Sequence, residues 1–116
     1  MQPTENAERL KNYFEQAATN LSKAKSTLFN ASEKVILATR AKGEAENHAF
    51  NTGVLANCKN DPERKAVMKN HLKDWQDQLD AVEEHERFCR AELDQFQLSW
   101  DLCRYQLRIL EVMAAK

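Results

Sequence analysis

In the stretch "AATNLSKAKSTLFNASEKVILATRAKGEA" (Ala17–Ala45) an alanine stands at 17, 24, 31, 38 and 45, five times in step at seven residues. Seven residues are two turns of a helix, so the five alanines lie along one line of a helix surface. Extended in both directions, the line becomes a stripe: Ala7, Leu10, Phe14, Ala17, Leu21, Ala24, Leu28, Ala31, Val35, Ala38, Lys42, Ala45 and Ala49. Its steps alternate three and four throughout. That is the 3.5-residue repeat of a coiled-coil seam, distinct from the drifting stripe of an ordinary amphipathic helix. With Ala7 as an a position, the stepped alanines are all d.

The pattern breaks at "ANCKNDPERKA" (residues 56–66). Asn57 and Asn60 suit a turn, Asp61 is a good N-cap, Pro62 fits the first turn of a helix, and Glu63 favours a helix N-terminus. Beyond it a second stripe runs Met68, Leu72, Trp75, Leu79, Val82, Glu86, Cys89, Leu93, Phe96, Trp100, Cys103, Leu107 and Leu110, again in alternating steps. Thr4 is the N-cap read for the first helix. The spacing therefore predicts one all-α domain over residues 1–116, with helix one at about 4–57, a loop at about 58–61 and helix two at about 62–115. Two such helices joined by a short loop fold back as a long antiparallel hairpin. Gly43 and Gly53 are the weak points of helix one, and a break near Gly43 is the alternative.

The alanines then find partners. A loop centred near Asn57–Asn60 sets Ala17 by Trp100, Ala24 by Leu93, Ala38 by Leu79 and Ala45 by Leu72. Small faces large, so the backbones approach closely and the bulk of helix two fills the seam. A register one heptad away, with Ala24 by Trp100, satisfies the pattern nearly as well. Two polar residues interrupt the seam, Lys42 and Glu86, and are read as register-setting devices. The first register brings Lys42 beside the Trp75 indole, whereas the second brings it close to Glu86.

A two-helix hairpin has one seam to bury, and this sequence carries more. Helix two has a second apolar file at Phe88, Ala91, Gln95, Leu98, Leu102, Tyr105, Ile109 and Val112; helix one has a shorter one at Phe29, Ile36, Gly43 and Phe50. Apolar rows of that length mark a contact with something else. The economical partner is a second copy, two hairpins making a four-helix bundle. A heterologous helical protein docked along the same rows is the other possibility. The contact residues expected are Phe88, Leu98, Leu102, Tyr105, Ile109 and Val112, with Phe29, Ile36 and Phe50 as a second patch.

The remaining chemistry is sparse. Gly and Pro total two each, charged residues make up 30%, and the net charge is −1, a balance that neither nucleic acid nor an anionic membrane would attract. Lys and Arg are scattered among acids, without a basic stripe. The acidic run Asp74, Asp77, Asp80, Glu83 and Glu84 reads as a solvated face. The segment "KDWQDQLDAVEEHERFCRAELDQF" (73–96) resembles the tail helices of BAR domains in the generic way of one coiled coil to another. A BAR fold needs a further long helix and a basic concave face, neither of which is visible, and the resemblance implies no function.

Three cysteines are an odd count. Cys89 and Cys103, ~21 Å apart along one helix, cannot bridge. Free thiols, no signal peptide at "MQPTENAERLKN" and no apolar run of membrane length give the expectation of a cytoplasmic protein. No phosphate loop, nucleophile elbow or zinc-ligand spacing appears, so no catalytic residue, metal site or cofactor is expected. His48 and His71, with Glu44, can meet across the first register but fall short of a zinc set. The function that follows is a non-enzymatic protein–protein interaction module, an adaptor, a chaperone-like cap or a small inhibitor. A helical-bundle enzyme or metal-binding protein using inward polar residues is the competing class.

Overall fold

The computed structural model describes residues 3–115, with side chains from residue 5 onward. The chain is an all-α helical hairpin: α1 (Pro3–Asn51), α2 (Asp61–His71) and α3 (Lys73–Ala114), with no strand among the described residues. Thr4 falls inside α1, which already begins at Pro3, and its side chain lies outside the described set.

Helix one ends six residues earlier than the pattern predicts, and Gly53 is the reason. Its φ of 75° is the left-handed conformation that terminates a helix. The Val54 N–H donates to the Ala49 carbonyl (3.2 Å) and the Gly53 N–H to the Phe50 carbonyl (3.4 Å), the paired bonds of a Schellman cap. Gly43, by contrast, sits in unbroken helix, so the expected alternative break there is absent.

The N-terminus of α2 is capped one residue earlier than expected. Asn60, in extended conformation, is the N-cap in place of Asp61; its Oδ1 accepts the Glu63 N–H at 2.9 Å. Glu63 reaches back to accept the Lys59 N–H at 3.1 Å. This is capping-box logic carried by Asn and Glu. Asp61 instead pairs with Arg64 at 2.6 Å. Helix two is interrupted at Leu72, where φ −95° and ψ 8° leave the α-region. The ladder nevertheless continues on both sides: the Leu72 N–H donates to the Met68 carbonyl and the Gln76 N–H to the Leu72 carbonyl, each at 2.9 Å.

The residues sort into two compact units. One joins the chain up to Phe29 with the chain from Phe88 onward, and the other spans Asn30–Arg87. In the first, α1 packs antiparallel on α3 through Ala17, Leu21, Ala24 and Cys89, all buried, with Leu10, Phe14, Leu28, Leu93, Phe96, Trp100, Cys103 and Leu107 half-buried. Ala7 and Leu110, the outermost stripe residues of this unit, are exposed. The Phe14 and Trp100 rings meet with centroids 4.4 Å apart. Ala17 shares one depression with Phe96, Ser99 and Cys103, which bracket Trp100. This is the first of the two registers.

In the second unit Ala31, Ala49, Leu72 and Leu79 are buried, and Val35, Ala38, Lys42, Ala45, Trp75, Val82 and Glu86 are half-buried. The Lys42 ammonium donates to the Gln76 side-chain oxygen, one position past Trp75. The expected stacking of Lys42 on the indole therefore gives way to an amide contact, and Glu86 is not its partner. A carbonyl oxygen gives a half-buried ammonium a directional acceptor, and Gln76 in turn donates to Asp80 at 2.7 Å. Ala31 is 2% exposed and Ala49 0%. The alanines fill sockets of closely approaching helices.

Candidate functional site

The core is thin. Its buried residues are four alanines of α1, a cysteine and the leucines at 21, 72 and 79, and no large side chain is fully enclosed. The large apolar side chains left outside are more numerous than those within. On α3 the second file lies on the c and f positions, about 160° around the helix from the a/d seam by the 100° turn per residue. Phe88, Leu98, Leu102, Tyr105, Ile109 and Val112 are 42–65% exposed, and Ala91 and Gln95 between them are exposed as well. Toward the end of this row Tyr105, Ile109, Val112, Met113 and the stem of Arg108 line an apolar depression of about 260 Å³. The row is a largely apolar face along α3, with Gln95 its one polar member.

The residues of the second patch, Phe29, Ile36 and Phe50, are likewise exposed on α1. Phe29 and Ile36 stand exposed on one side of α1, seven residues apart. Phe50 also lines a groove beside the turn, of about 570 Å³, with Leu55, Met68 and Leu72. Lys42, Arg64, Lys65 and Lys69 outnumber Glu46 and Asp61 around this groove. Sequence reasoning missed it because Leu55 and Met68 come together only when α1 stops at the Gly53 cap. The excess of cations in α2 was the one available signal. Tyr13, Leu37 and Met113 are further exposed apolar residues outside the predicted set.

Glu44, His48 and His71 do line one depression, with Trp75 and two alanines. His71 lies flat against Trp75, ring centroids 6.2 Å apart and planes 28° from parallel. Among the described residues no three His, Cys, Asp or Glu side chains come close enough to share a cation. Cys89 is buried in the seam, while Cys58 and Cys103 are half-buried thiols. No described helix is long and apolar enough to cross a membrane. Comparisons with protein-family models, curated proteins and solved structures find no match to this chain.

Proposed function

We propose that this protein is a non-enzymatic protein–protein interaction module that associates with a second copy of itself through α3, forming a helical bundle. One observation carries the reading: a row of six large apolar side chains, Phe88 to Val112, standing 42–65% exposed on the face of α3 turned away from its own seam. Apolar surface of that extent gains roughly 25 cal/mol for each Å² withdrawn from water, and monomeric proteins rarely leave it open. Cys58, Cys89 and Cys103, all unbridged, suit a reducing cytoplasmic setting. An adaptor, a chaperone-like cap or a small inhibitor are the roles such a module fills. The test is a charge placed in the middle of the row. Leu102→Asp or Ile109→Asp should reduce the solution mass to that of one chain while circular dichroism still reports helix; an unchanged mass would remove α3 from the interface.

A second reading rests on the groove beside the turn. Its apolar floor of Phe50, Leu55, Met68 and Leu72 under a rim richer in cations than acids suits a heterologous helix with apolar and acidic residues. That role is compatible with self-association through α3. Met68→Asp would abolish such docking and leave the oligomer untouched.

A further inference from the structure

The apolar file of α3 reads the same in both directions. From Phe88 to Val112 its steps are three, four, three, four, three, four, three, so its midpoint falls between Leu98 and Leu102. Turned end for end about that midpoint, the file lays each c position on an f position of its copy, as a and d alternate in antiparallel coiled coils. The chemistry then matches as well as the spacing. Phe88 meets Val112 and Ala91 meets Ile109, large against smaller each time, while Gln95 meets the Tyr105 ring with its hydroxyl as a polar partner.

The charges beside the file favour the same arrangement. Asp94 and Arg108, both exposed, lie on one border of the face at b positions two heptads apart. The reversal sets Asp94 against Arg108 of the partner subunit, twice over by symmetry. The opposite border carries Glu92, Ser99 and Gln106, which bring no like charges together. Asp101 crosses near its own copy, the one like-charge approach of this arrangement, and its carboxylate accepts from the Gln97 amide at 3.2 Å. Other arrangements do worse. Sliding one heptad toward the start of α3 lays Glu84 on Ile109. In a parallel pair Gln95 lies on Gln95, and Asp94 remains ~21 Å along the helix from any Arg108.

We infer that the second copy docks antiparallel along α3, about a two-fold axis between Leu98 and Leu102, with reciprocal Asp94–Arg108 pairs fixing direction and register. This rests on the self-association proposed above. The test is sedimentation equilibrium of the full chain and four companions: Asp94→Arg, Arg108→Asp, the double exchange, and an equimolar mixture of the two single variants. Each single variant sets two like-charge contacts in the interface and should weaken the dimer about tenfold or more. The double exchange should restore the affinity to within about threefold, and the mixture should pair more tightly than either variant alone. A wild-type dimer that the single variants leave intact, or that the double exchange fails to restore, overturns the antiparallel register and leaves the self-association reading standing. A wild-type chain that stays monomeric overturns both.

Discussion

The Phe14 ring lies against the Trp100 ring, centroids 4.4 Å apart and planes tilted by 30°. One comes from the early turns of α1 and the other from the later turns of α3, so this contact states the direction and register of their pairing. Both are a positions of their stripes, and both are half-buried. An aromatic pair in this geometry contributes about 0.5–1.5 kcal/mol beyond the area it buries. A double-mutant cycle with Phe14→Ala and Trp100→Ala, followed by urea unfolding, should therefore give a coupling energy of about 1 kcal/mol. Strictly additive losses would mean that the rings do not touch in solution.

The sockets make a separate prediction. Ala24 is 6% exposed and Ala31 2%, and each stands where α1 and its partner helix approach closely. Ala24→Leu or Ala31→Leu should overpack the seam and destabilise the chain by about 1–3 kcal/mol. Differential scanning calorimetry would register this as a lower Tm for both variants. An unchanged Tm in both would place the alanines facing solvent.

Two glycines should respond in opposite senses to one substitution. Gly43 lies in mid-helix, where a Cβ would meet nothing within 4 Å, so Gly43→Ala should raise stability by about 1 kcal/mol. Gly53 holds φ at 75° to close the α1 cap, and Gly53→Ala should lower stability by about 1 kcal/mol. Chemical denaturation of the two variants side by side decides the matter; a shift of the same sign in both would contradict the position of the helix end.

Asn60 caps α2 through its side-chain oxygen. Asn60→Ala should cost about 1 kcal/mol, and Asn60→Asp should retain most of the cap. If Asp61→Ala proved the more damaging change in the same unfolding assay, the cap would lie one residue later.

Much of this architecture was legible because a 3.5-residue repeat overdetermines a long helix: each stripe residue constrains the next. Every predicted seam residue from Leu10 to Ala49 and from Met68 to Leu107 is buried or half-buried. The helix end was harder to place. The last periodic residue, Ala49, is fully buried, and beyond it the pattern is silent, so the end was decided by backbone bonds at Gly53 that periodicity does not encode. Asn60 and Asp61 are both good caps, and choosing between them depends on one φ/ψ pair. The interruption at Leu72 has no glycine or proline to announce it. For the candidate surface, the α3 row could be read from its own spacing, since it lies on one helix. The groove of Phe50, Leu55, Met68 and Leu72 joins three segments across a turn and needed the folded chain.

In the proposed assembly a second copy covers the exposed row of α3. Sedimentation equilibrium of the wild-type chain, with reductant present and over a wide concentration range, tests it most directly. The expected result is a species of twice 13.4 kDa that persists on dilution. A species of 13.4 kDa at every concentration would contradict it.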